Sequence, residues 1–75
     1  MVESSTATLN GTTGIDVING TVSGNVAFRN YGVGIFVEFN GLANANTLVA
    51  NEAPDLLLGA AATSNHNNNC SGTAC

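Results

Sequence analysis

The apolar positions of this chain come in short bursts with a period of two. In "GIFVEF" (34–39) the alternation puts Ile35, Val37 and Phe39 on one side and Phe36 and Glu38 on the other, and "GIDV" (14–17) repeats it with Ile15 and Val17. The pattern predicts half-buried β-strands. A further burst, "TVSGNVA" (21–27), lies upstream of "GIFVEF", and the alternation breaks between them at "FRNYGV" (28–33), which reads as a corner joining two faces of one coil. "LLLGAAAT" (56–63) reads as a helical turn whose apolar packing needs no function to explain it.

The bursts recur at a fixed offset. Residues 1–20 and 21–40 align without a gap: Val2 meets Val22, Ala7 meets Ala27, Asn10 meets Asn30, Gly14 meets Gly34, Ile15 meets Ile35 and Val17 meets Val37. A second register, shifted by 26, sets "TVSGNVA" (21–27) over "TLVANEA" (47–53), with Thr, Asn and Ala identical and Val22 over Leu48. Repeats of this length suit a solenoid in which equivalent positions stack. The second register predicts that Asn25 and Asn51 share a corner, where stacked amides bond along the axis and Asn tolerates left-handed backbone. It also sets Asp55 over Arg29, an ion pair worth about 0–1 kcal/mol at a surface.

On these residues the sequence resembles the right-handed parallel β-helix of the pectin-lyase-like superfamily, with its "N-x-V-x-G-N-x-A-x-x-N-x-x-x-G-I-x-V" coils. "GTVSGNVAFRNYGVGIFVE" (20–38) matches that pattern, "NTLVANEAPDLL" (46–57) begins another copy, and the resemblance covers about residues 7 to 60. It implies an all-β parallel solenoid of about three coils over residues 1–64, followed by an Asn- and Cys-rich tail, 65–75. It also implies, for members that cleave acidic polysaccharides, acidic clusters and a basic residue near the sugar. The competing architecture is a β-hairpin meander, because Asn10-Gly11, Asn19-Gly20 and Asn40-Gly41 are strong two-residue turn signals. A meander gives no reason for Asn, Gly, Ile and Val to recur at one offset.

Composition narrows the partners. The chain has 75 residues, one basic side chain (Arg29) against five acidic ones, and a net charge of −4. That balance argues against nucleic acid, whose phosphates need cationic neutralisation, and against an anionic membrane surface. No apolar stretch approaches the length of a bilayer span. "MVESST" has neither the basic region nor the apolar run of a secretory signal, so the sequence as written carries no export address; the compartment is extracellular if the chain comes from an exported protein. A domain this small buries only roughly 60% of its unfolded surface, so its core is marginal.

Little catalytic chemistry is visible. No catalytic residue, cofactor or metal site is assigned: Cys70 and Cys75 are too close for two zinc-ligand pairs, only His66 lies nearby, and a local disulfide is the better reading. Asp16, Glu38 and Glu52 fall on different coils and different columns, which argues against a glycosidase pair or calcium cage. Arg29, Tyr31, Phe36 and Glu38 remain as binding candidates, and Asn25, Asn51, Cys70 and Cys75 as structural ones. The expected role is a structural or binding module rather than an enzyme. Both end coils would expose unpaired backbone and part of an apolar core, with no Lys to guard them, which predicts a homo-oligomer, a dimer before a filament. The alternative is a fragment of a polysaccharide lyase or hydrolase that binds acidic glycans on an exposed parallel sheet.

Overall fold

In the computed structural model, which describes residues 1–3 and 5–75, the described residues form short strands only. They are β1 (Val2–Glu3), β2 (Thr6–Thr8), β3 (Ile15–Ile18), β4 (Thr21–Ser23), β5 (Val26–Phe28), β6 (Ile35–Glu38), β7 (Leu42–Asn44), β8 (Thr47–Val49), β9 (Leu56–Leu58), β10 (Thr63–Ser64), β11 (Asn69–Cys70) and β12 (Thr73–Ala74). They stack into a parallel β-solenoid of about three turns. Its three sheets run β1-β4-β7-β10, β2-β5-β8-β11-β12 and β3-β6-β9, here called A, B and C.

Each coil therefore has three faces, where the sequence suggested two. "TVSGNVA" is not one strand but β4 and β5 on either side of a corner at Gly24-Asn25. "LLLGAAAT" forms β9 and a turn instead of a helical turn. Phe39 leaves the alternation: at φ 45° it sits in a corner with most of its ring exposed, so it is not part of the core. The Asn-Gly pairs at 19–20 and 40–41 are solenoid corners, with Asn19 and Asn40 at φ 55° and 57°, so the meander does not form.

The core is a set of columns one residue wide. Val2, Val22 and Ala43 stack on the inner side of sheet A, Ala7, Ala27, Leu48 and Cys70 on sheet B, and Ile15, Ile35, Leu56 with Val17, Val37, Leu58 on sheet C. The coils are 20 residues apart between the first and second (Ile15 beside Ile35) and 21 between the second and third (Ile35 beside Leu56). The 26-residue register is thereby overturned. Thr21 lies beside Leu42, Val22 beside Ala43 and Ala27 beside Leu48. Size is traded between faces, a larger Leu in sheet B answering a smaller Ala in sheet A, which keeps the interior filled from coil to coil.

Residues 65–75 continue the winding. β11 pairs in parallel with β8, then Ser71 and Gly72, both at positive φ (51° and 92°), turn the chain back into β12, which pairs antiparallel with β11. Two consecutive positive φ values are the backbone of the tight turn whose twist matches a hairpin. Cys70 and Cys75 are joined by a disulfide across this hairpin.

Candidate functional site

Two asparagine ladders run the length of the solenoid and end differently at its two ends. In the first, Asn25, Asn46 and Asn68 are buried at the corner between sheets A and B. The main-chain N–H and Nδ2 of Asn25 donate to Asn46 Oδ1 (3.0 and 3.1 Å), and those of Asn46 donate to Asn68 Oδ1 (2.9 and 2.8 Å). The second Nδ2 hydrogen reaches a main-chain oxygen of the coil before, from Asn25 to Val2 and from Asn46 to Val22, each at 3.0 Å. The second ladder repeats this with Asn10, Asn30 and Asn51. All four bonding positions of the Asn30, Asn46 and Asn51 amides are thus used, as burial demands.

The structure accordingly separates Asn25 from Asn51. They stand on different ladders, Asn25 with Asn46 and Asn51 with Asn30. What delivers the amides other than Asn68 to the interior is the residue before each. Leu9, Arg29 and Ala50 (φ 55°, 54° and 58°) precede the second ladder, and Gly24 and Ala45 (65° and 54°) precede Asn25 and Asn46. A single left-handed residue bends the chain at the corner and points the next side chain inward.

The ladders also explain two glycines. A Cβ on Gly14 would lie 2.6 Å from Asn30 Nδ2, and one on Gly34 would lie 2.5 Å from Asn51 Nδ2. The backbone must pass against the amide of the coil below, so the residues four after Asn10 and Asn30 carry no side chain. In the third coil that position is Asp55, and its carboxylate takes the place of the next amide: Oδ1 accepts from the N–H (3.2 Å) and Nδ2 (2.8 Å) of Asn51. Asp55 Oδ2 accepts from Ser71 Oγ (2.7 Å) in the hairpin turn. The first ladder finishes in the same hairpin, where Asn68 Nδ2 donates to Ser64 Oγ and to the main-chain oxygen of Cys75, both at 2.9 Å.

The two ends therefore differ. At the C-terminal end both ladders terminate in acceptors held by the disulfide-linked hairpin, and β12 covers the edge of β11. Sheet C ends on β9, with Leu57 and Leu58 partly exposed. At the N-terminal end the first ladder stops in Ser5, whose N–H donates to Asn25 Oδ1 (2.9 Å). The second stops in Asn10, whose N–H and Nδ2 donate to Asn30 Oδ1 (3.2 and 2.9 Å); among the described residues nothing donates to Asn10 Oδ1. The inner residues Val22, Ala27, Ile35 and Val37 of the second coil are fully buried; of their partners, Val2, Ala7 and Ile15 are half-buried and Val17 is buried.

The candidate binding residues fall into two groups. Phe36 and Glu38 share the outer face of β6, and Arg29 and Tyr31 flank Asn30 at the preceding corner, both exposed. The Arg29 guanidinium lies 4.9 Å from the centre of the Phe28 ring, and the ion pair expected with Asp55 does not form. Arg29 stacks beside Ala50, as its N–H bond to Val49 O (3.0 Å) shows, while Asp55 is held inside the corner. The carboxylates were not expected to meet, yet Asp16 pairs beside Phe36 and Ile18 beside Glu38, which puts Asp16 and Glu38 diagonally together on the outer face. A hydrogen bond with the Asp16 side chain pushes the Glu38 carboxyl above its usual range, helped by burial and by the Asp16 charge. The described residues contain no pocket and no group of three metal-ligating side chains.

Sequence reasoning missed the hairpin. Ser71-Gly72 is a turn dipeptide, and Asn46 follows Asn25 by 21 residues and Asn68 follows Asn46 by 22. Comparison of the chain with protein-family models, with curated proteins and with solved structures gave no match.

Proposed function

We propose that this chain is a structural β-solenoid module that self-associates through its N-terminal end, with kinship to the pectin-lyase-like β-helices. The observation that carries the reading is the contrast between Asn10 Oδ1, to which no described residue donates, at one end and two closed amide ladders at the other. Covering the first coil removes apolar surface from water and satisfies the outer edges of β1, β2 and β3. With both ladders closed at the other end and β12 covering β11, like ends meet, and the assembly is a closed dimer instead of a filament. The interface is small, so affinity on the order of micromolar is expected. The disulfide suits an oxidising compartment. Sedimentation equilibrium across a wide concentration range tests this: a monomer–dimer equilibrium is expected, and a strict monomer at high micromolar concentration, or open-ended growth, contradicts it.

A second reading rests on the outer face of sheet C, where the Phe36 ring stands between Asp16 and Leu57 with Glu38 alongside. An aromatic ring beside a carboxylate pair suits a sugar, and the face would then bind a polysaccharide. Binding of an oligosaccharide panel, lost with Phe36→Ala at unchanged melting temperature, would favour it over the first.

A further inference from the structure

The second ladder specifies what fits beside Asn10. We propose that the N-terminal end is a socket for one more parallel coil of this repeat, supplied by the terminal coil of another β-solenoid, with an asparagine stacked above Asn10. The proposal rests on the reading of this end as the association surface and names what fits it best.

The ladder has a direction. Each Oδ1 accepts from the N–H and Nδ2 of the asparagine one coil earlier, as Asn30 does from Asn10 and Asn51 from Asn30. Asn10 Oδ1 therefore fits an asparagine arriving from the coil before. Nδ2 adds a second requirement. Asn30 and Asn51 give their other hydrogen to the main-chain oxygens of Ala7 and Ala27 (3.2 and 3.1 Å), three residues ahead of the preceding asparagine. Asn10 has the same hydrogen to give. The close approach at Gly14 and Gly34 adds a third: the incoming coil needs a glycine four residues after its asparagine, or its Cβ would strike the Asn10 amide. The matching coil is thus a small residue, two positions, Asn, three positions, Gly, as in Ala27, Asn30 and Gly34.

The main chain agrees. Val26 N–H donates to Ser5 O and Tyr31 N–H to Asn10 O, each to the coil above (2.9 Å). Twenty residues earlier, the amides of Thr6 and Gly11 face the open side in the same way. A second copy fits less well from either direction. Its C-terminal end offers the Asp55 carboxylate, which has no hydrogen for Asn10 Oδ1, and an antiparallel β12. Its N-terminal end brings strands antiparallel and sets one outward Oδ1 toward another.

The test adds a synthetic peptide of residues 20–40 to the full chain and follows sedimentation together with amide hydrogen exchange. The expected result is a one-to-one complex that displaces the dimer and slows exchange of Thr6 and Gly11 by about tenfold or more. The N30L or G34V peptide, or the N10L chain, should bind about tenfold more weakly. A dimer that the peptide leaves intact, or equal binding of the N30L peptide, overturns this inference and leaves the proposed function standing. Specific binding to a chain that is otherwise monomeric supports the inference and removes self-association. A monomer that binds no peptide overturns both.

Discussion

The first coil and the last quarter of the chain treat the same asparagine ladders in opposite ways. In the first coil, Asn10 passes its hydrogens down to Asn30 and keeps an oxygen without a donor among the described residues; at the far end, Asp55, Ser64 and the main chain of Cys75 accept the remaining amide hydrogens, and Ser71 Oγ donates to Asp55 Oδ2. The lesson is that a repeat ends when one residue breaks the pattern productively. Asp55 occupies the place of Gly14 and Gly34 and turns a position that must be bare into the acceptor that closes the ladder. A solenoid end is thus marked by chemistry, and an edge without such chemistry leaves backbone groups unpaired.

The comparison breaks most visibly inside the ladder. Asn46→Leu leaves the N–H and Nδ2 of Asn25 and the oxygen of Val22 without partners in a buried corner, so a loss of about 3 kcal/mol or more in chemical unfolding is expected. Asn10→Leu, at the open end, should cost under about 1 kcal/mol. Equal losses would mean that the ladder does not distinguish interior from end.

Opening the disulfide sharpens the contrast from the other side. Cys70 ends the Ala7, Ala27, Leu48 column and Cys75 supplies the last acceptor, so Cys75→Ser should lower stability by about 2 kcal/mol through the lost loop constraint. The freed hairpin edge should also let species larger than a dimer appear in sedimentation. Unchanged size would show that the hairpin is not what limits assembly.

A smaller effect comes from the outer face. Because Asp16 raises the Glu38 carboxyl in the folded chain, the folded state holds that proton more tightly than the unfolded one. The resulting stabilisation is present below the ordinary carboxylate range and is lost as pH rises through the raised value. Melting temperature should therefore fall across that window, and Asp16→Asn should flatten this part of the profile.

The smallest change expected is at a corner. Ala50 holds φ 58° with an exposed side chain, so Ala50→Gly relieves left-handed strain at some entropic cost and should raise stability by a few tenths to about 1 kcal/mol. A loss would indicate that the Ala50 methyl contributes packing.

How legible was this in the chain? The parallel solenoid was, because the first two coils keep the same residues at Val2/Val22, Ala7/Ala27 and Ile15/Ile35. The third coil was misplaced for a definable reason. Asparagines stand five apart in each coil, at 25 and 30 and again at 46 and 51, so a slip of five lays Asn25 of one ladder on Asn51 of the other. The slip was invisible to identity because the core positions had exchanged sizes, Val22 for Ala43 and Ala27 for Leu48. The Asp16 and Glu38 contact was missed because it runs diagonally between strands, not along a column. Asp55 was read as a surface charge; only the three-dimensional corner reveals that its side chain points inward.

The central claim, that one end associates and the other is closed, is tested most directly by amide hydrogen exchange at protein concentrations spanning about two orders of magnitude around the dimer dissociation constant. The account predicts that protection of Thr6 and Gly11 rises with concentration while Thr73 and Ala74 of β12 exchange at a constant rate. Concentration-dependent protection at β12, or none in the first coil, would contradict it.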